Sequence, residues 1–275
     1  MSISIQTNSG SLMALDNLRV NTDFQSKTIQ RLTSGYRINA SGDDAAGLAV
    51  ANSYRTQVAE LNQGIRNAND GLSQLQIVDG GLNNITKMVD RLRVLATQAA
   101  SDTFKGDLAT VDNEFKAIRT EIDRQAANIG LITGGANAQT VEVYVGGGSN
   151  QANSIVTLDL TATSLVDQAG LGIDSDDLLS KATAKTALDN LALATATLGT
   201  IQGQVGSSQN KLQYAVNLAS SQSTNIAAAE SRIRDADIAA EASNLTKAQV
   251  LAQSSMAALA QANSAPQNVM TLLRQ

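Results

Sequence analysis

Residues 191–233 read LALATATLGTIQGQVGSSQNKLQYAVNLASSQSTNIAAAESRI, and within them Leu191, Leu198, Val205, Leu212, Ala219, Ile226 and Ile233 recur every seventh place. A seven-residue apolar repeat keeps returning to one edge of an α-helix, which is the seam of a coiled coil. One helix with such a seam leaves it in water, so a second long helix must cover it. The chain carries one earlier. Leu61, Ile65, Ala68, Leu72, Leu75, Val78, Leu82, Ile85, Val89, Leu92, Leu95 and Ala99 follow one another by threes and fours, a mean step of about 3.5 residues. The fold class read from these two stretches is predominantly α: a long antiparallel helical coiled-coil rod formed by the N- and C-terminal segments, with a small β-hairpin mid-chain.

Working outward, Leu12, Leu15, Leu18, Ile29 and Leu32 mark a first helix that should stop at Ser34-Gly35. The segment Asn39-Ala40-Ser41-Gly42-Asp43-Asp44 is turn chemistry, with Ser41 and Asp44 spaced as a capping box for the long helix that follows. A shorter helix is expected from about Asp107 to Asn128, with Leu108, Val111, Phe115, Ile118 and Ile122 on one face. The second long helix should open near Asp176, capped by Asp174, Asp176 or Asp177, and run about 85 residues, a rise of roughly 130 Å. Between the helices, Val141, Val143 and Val145 alternate and Ile155–Leu160 is β-prone, which predicts a hairpin whose loop is Gly146–Asn153. Glycines 199, 203 and 206 would let a partner approach the last long helix closely. The sole proline is Pro266.

Composition narrows function by exclusion. The 275 residues carry 20 Lys+Arg against 25 Asp+Glu, a net charge of −5, with no Cys, no His and no Trp. Without Cys or His there is no thiol nucleophile, no thiolate metal site and no imidazole base. No cofactor and no enzymatic activity are expected. The acidic balance gives no footprint for nucleic acid, and no apolar run is long enough to insert in a membrane. Only seven residues are aromatic while 42 are alanine, a composition suited to helices packed closely side by side. Gly146-Gly147-Gly148-Ser149 lacks the Gly-Lys-Ser/Thr ending of a phosphate loop, and the aspartates at 174, 176 and 177 lack the glycine and glutamate of a calcium loop. The N-terminus is not a Sec-type signal peptide, and Asn39, Asn84 and Asn244 head only short Asn-x-Ser/Thr triplets.

A series of motifs then points further. Ile29-Gln30-Arg31-Leu32-Thr33-Ser34-Gly35-Tyr36-Arg37-Ile38-Asn39, Asp43-Asp44-Ala45-Ala46-Gly47-Leu48-Ala49-Val50-Ala51 and Arg66-Asn67-Ala68-Asn69-Asp70-Gly71 stand in the first half. Ser231-Arg232-Ile233-Arg234-Asp235-Ala236-Asp237, Ser243-Asn244-Leu245-Thr246-Lys247-Ala248-Gln249 and Pro266-Gln267-Asn268-Val269 stand near the end. In this order they resemble bacterial flagellin, in a minimal form without large outer domains. Asn128-Ile129-Gly130 departs from the family's usual Phe-Asn-Gly.

The resemblance implies a subunit that self-polymerises into the flagellar filament for swimming, outside the cell, after unfolded export by the flagellar type III apparatus. It implies that 1–42 and 236–275 form a terminal helical domain lining the filament core, packed through Leu12, Leu15, Ile29, Leu32, Leu259, Val269, Leu272 and Leu273. Residues 43–129 and 176–235 would form the helical rod, and 130–175 its hairpin region. Implied partners besides a second copy are an export chaperone anchored at Leu245, Val250, Leu251, Leu259 and Val269, the filament cap and the hook-junction proteins. Toll-like receptor 5, an innate immune receptor, would contact Arg91, Leu95 and Glu114, with Val94 standing where the motif usually carries glutamate. A hook–filament junction protein is the alternative reading. A peptidase-bearing variant would need His-Glu-x-x-His and is excluded.

Overall fold

The computed structural model describes residues 8–132, 134–146, 154–159 and 165–273, the side chains of Asp159 and 265–273 excepted. The element order is α1 (Ser9–Ser34), α2 (Ala45–Ala100), α3 (Leu108–Asn128), β1 (Thr140–Tyr144), β2 (Ile155–Asp159), α4 (Lys181–Arg234) and α5 (Ile238–Leu273). The chain packs as two units. Unit 1 is Met1–Thr56 with Asn225–Gln275, and unit 2 is Gln57–Thr224.

Unit 2 holds the coiled coil. On α4 the heptad row Ala184, Leu191, Leu198, Val205, Leu212 and Ala219 is buried, and so is a second row three residues on, Ala187, Ala194, Ile201 and Ser208. The sequence reading picked out the first row and passed over the second, because alanine and serine give little apolar contrast. On α2 the seam residues Leu61, Ala68, Leu75, Val78, Leu82, Ile85, Val89, Leu92, Leu95 and Ala99 are buried, while Ile65 and Leu72 are half-buried. The antiparallel register shows in the polar contacts at its edges. Ser223 Oγ meets Asn62, and Gln202 Nε2 reaches Asn83 and Thr86. Lys181 at the start of α4 pairs with Asp102 just past the end of α2.

The hairpin forms as expected. β1 and β2 pair antiparallel with Val141 opposite Leu158 and Val143 opposite Val156; residues 147–153 of its loop lie outside the described set. It lies on α2, where Asn67 Nδ2 donates to the Tyr144 carbonyl and the Tyr144 hydroxyl donates to Glu60. Gly64 is what admits it, since a Cβ there would run into the Val145 carbonyl. A Cβ on Gly81 would likewise strike Ile129. Ile129 fills that gap, and Gly130 then turns the chain with φ 69°.

The irregular stretch 165–180 is strapped to α3 by charged side chains. Asp123 accepts from the Gln168 backbone and side chain, and Arg119 donates to the Ile173 and Asp176 carbonyls. Asp112 accepts from the Leu178 N–H at 2.9 Å, and Val166, Leu171, Ile173 and Leu178 are buried beside these ties. Burial pushes the Asp112 carboxyl up, but hydrogen bonds from Lys116 and the Leu178 N–H outweigh it and hold the group below the ordinary value of 3.8. Burial prevails at Asp176 and raises it.

In unit 1, α1 and α5 lie antiparallel. Asn8 Nδ2 donates to the Ala262 carbonyl at 2.8 Å, Asn21 to Ser255 Oγ at 2.9 Å, and Arg31 pairs with Glu241 at 3.4 Å. α1 stops as its sequence dictates. Gly35 takes φ 74° and its N–H returns to the Arg31 carbonyl. The C-terminal helix breaks at the same level. Arg37 N–H donates to the Arg234 carbonyl, Ala236 N–H to the Gly35 carbonyl, and Arg234 stacks on the Tyr36 ring at 4.1 Å.

Three local expectations are corrected by the geometry. The second long helix opens at Lys181, because Ser180 Oγ accepts from the Thr183 N–H and so caps it. Asp177 only closes a turn on Leu179, and Asp176 is engaged with Asn190. That helix is also not continuous to the C-terminus, since Asp237 accepts from Ala239 and Ala240 and starts α5 afresh. At the start of α2, Asp44 is itself the cap, accepting from the Gly47 N–H. Asp43 folds back on the Asn39 and Ala40 N–H groups, which hold its carboxyl below the ordinary value.

Candidate assembly surfaces

Among the described residues no cluster of metal-ligating side chains occurs and no helix is long and apolar enough to cross a membrane. What stands out is apolar surface left in water. On α1 Leu12, Leu15, Val20 and Ile29 are exposed, Leu12 to 62%. Leu12, Leu15 and Leu18 form the floor of a groove edged by Asp16, Arg19 and Asp23. On α5 Ile238, Val250, Leu251 and Met256 are exposed. Leu32, Leu245 and Leu259 are half-buried. Val269, Leu272 and Leu273 belong to α5, but their side chains lie outside the described residues.

The reason is visible in what the pair does bury. Of the fully buried apolar side chains described, only Ile38, Ala51 and Ala248 belong to unit 1. Its other buried residues are Thr28, which bonds back to the Phe24 carbonyl, and Glu241, whose Oε2 has no hydrogen-bond partner. Two helices cannot enclose a core, so each keeps an apolar flank. The sequence reading named Leu12, Leu15 and Ile29 but missed Met13, Val20 and Phe24, which sit seven and four residues apart on one face of α1. Their spacing was the available signal. On α4, Leu193, Tyr214 and Leu218 are exposed off the seam and were missed because only the heptad row was followed.

The second candidate site lies in unit 2. Arg91 on α2 donates through Nε and Nη2 to Glu114 Oε1 on α3, at 3.0 and 2.6 Å. Both side chains are about half exposed. Leu95, one turn along, is 2% exposed and belongs to the core, so it offers no surface. Val94 beside it is exposed and helps line a shallow groove with Arg93, Thr97 and Phe104.

Comparison with known proteins shows the family. The model of the bacterial flagellin N-terminal helical region matches residues 5–129, and that of the flagellin C-terminal helical region matches 185–273. A flagellin of Halalkalibacterium halodurans is 34% identical over 274 residues, covering 98% of this chain and 99% of its own. The flagellin of Bacillus subtilis is 33% identical with the same coverage of both chains. A flagellar hook-associated protein of Vibrio parahaemolyticus, 13% identical, aligns over 70% of this chain and all of its own with a TM-score of 0.57, a likeness of fold alone. With family matches in both terminal regions and relatives aligned nearly end to end, the chain belongs to the bacterial flagellins, structural subunits of the flagellar filament rather than enzymes.

Proposed function

We propose that this flagellin polymerises by covering the exposed flanks of α1 and α5 with other copies of itself, outside the cell, after unfolded export by the flagellar type III route. The observation that supports this reading is the uncovered row Leu12, Leu15, Val20 and Ile29 on a helix pair with almost no core of its own. Residues 1–42 and 236–275 form the inner assembly domain, 43–129 and 176–235 the surrounding helical layer, and 130–175 its hairpin region. The chain then needs no outer domain.

Before assembly the α5 flank needs a cover, and an export chaperone with a helix-binding groove would take Leu245, Val250, Leu251, Leu259 and Val269. The filament cap and hook-junction proteins meet the same flanks at the ends of the polymer. Toll-like receptor 5 would read the Arg91–Glu114 pair, with Leu95 acting only by packing under it. A hook–filament junction role is the competing reading, distinguished by copy number per cell.

The deciding experiment is polymerisation of purified protein carrying Leu12→Glu or Leu259→Glu, followed by sedimentation and electron microscopy. A charge placed in a covered apolar contact costs several kcal/mol, so filaments should be lost while the helical circular dichroism of the monomer is kept. Normal filaments from both variants would overturn the reading. Deleting 236–275 should remove chaperone binding, and Arg91→Ala with Glu114→Ala should silence receptor signalling without affecting filaments.

A further inference from the structure

We propose that Met13 and Met256 are oxidation sites through which peroxide blocks assembly of the free subunit; this rests on the assembly reading above. Met13 is 69% exposed and Met256 53% exposed. Met13 lies on the face of α1 that carries Val20 and Phe24, and Met256 lies between Ala252 and Ala260, one turn from Leu259. Each places a flexible thioether on an apolar flank. The third methionine with a described side chain, Met88, is half-buried in α2. The chain has no cysteine, so no thiol competes and the thioethers are its oxidisable sulfurs.

The reaction is a two-electron oxygen transfer from a hydroperoxide. The sulfur lone pair attacks the distal oxygen, an S–O bond forms as the O–O bond breaks, and the proton of the transferred oxygen passes to the departing oxygen, which leaves as water or alcohol. The thioether becomes a sulfoxide and the peroxide is reduced. The product is a polar, strongly hydrogen-bond-accepting group in place of an apolar one. On the free subunit it stays hydrated. In a contact between subunits it must lose that water without a donor to replace it. Oxidation therefore stops assembly only if it comes first, since the polymer encloses the two sulfurs.

The test treats purified monomer with hydrogen peroxide, maps sulfoxides by peptide mass spectrometry, and measures the critical concentration for polymerisation. With sulfoxide at Met13 and Met256, that concentration should rise about tenfold, equivalent to about 1.4 kcal/mol per subunit. Treatment of preformed filaments should leave both positions largely unmodified. The critical concentration of the double variant M13L/M256L, a volume-conserving change, should not rise on peroxide treatment above its own untreated value, and a methionine sulfoxide reductase should restore the oxidised wild type. Failure of the untreated protein to polymerise would count against the assembly reading itself. Unaltered assembly of protein carrying both sulfoxides would overturn the present inference, as would full peroxide sensitivity in the double leucine variant.

Discussion

In unit 2 the seam leucines of α2 and α4, Leu72 excepted, are buried, whereas in unit 1 Leu12 and Leu15 of α1 remain wet. The difference is the number of covering elements. α2 has α4, α3 and the hairpin around it; Gly64 admits the backbone at Val145, and Gly81 makes room for the Ile129 side chain just past α3. Among the described residues α1 is paired with α5, through Asn8, Ser11, Asn21 and the Arg31–Glu241 pair. Apolar residues in a sequence therefore say only that a surface wants covering; whether the chain itself supplies the cover is a matter of how many helices converge there.

The contrast can be broken most directly in the core. Phe115 is fully buried in unit 2, and Phe115→Ala should destabilise the monomer by about 3–5 kcal/mol, read by thermal or urea unfolding. An undiminished midpoint would mean that unit 2 has no more core than unit 1. Limited proteolysis sharpens the same point, since both ends should be trimmed to a resistant core near 45–235 in the monomer and be protected in the filament.

A smaller effect is expected at Asp112, whose hydrogen bonds to Lys116 and Leu178 tie the strap to α3. Asp112→Asn should cost about 1.5–3 kcal/mol at neutral pH. Because the folded carboxyl titrates below 3.8, the ionised group stabilises the fold above that value. The contribution fades as pH falls through the folded pKa. Wild type and variant should therefore converge in stability once the pH lies below the folded pKa, and a gap independent of pH would exclude the carboxylate as its source. Breaking the exposed Arg91–Glu114 pair with Arg91→Ala should change monomer stability by only about 0–1 kcal/mol. The smallest change is expected for Leu12→Ser, within about 0.5 kcal/mol in the monomer, against a large effect on polymerisation. Equal effects on both would mean that α1 is already covered in the free chain.

Periodicity made the long helices and the hairpin legible, and Gly35 and Asp107 marked helix ends that the structure reproduces. The second α4 row, Ala187, Ala194, Ile201 and Ser208, was not legible because its small side chains mark close approach rather than hydrophobicity. The cap at Ser180 was hidden behind three upstream aspartates, each engaged elsewhere or too early in the turn. At the candidate receptor site, the residues Arg91 and Glu114 could be named from motif, yet their pairing depends on how α3 returns along α2. The same packing buries Leu95, in keeping with its place in the α2 seam, although the resemblance set it among the receptor contacts.

The pairing of α1 with α5 also has a consequence in time. The contact between Asn8 and Ala262 spans 254 residues, whereas that between Arg91 and Glu114 spans 23. The longer loop costs about 2 kcal/mol more chain entropy to close, so α1–α5 pairing should come late in folding. On the ribosome the delay is absolute. At roughly 5–20 residues per second, α1 exists for on the order of ten seconds or more before any of α5 has been made. Throughout that interval α1 lacks the helix it pairs with, which is made only after the whole of unit 2.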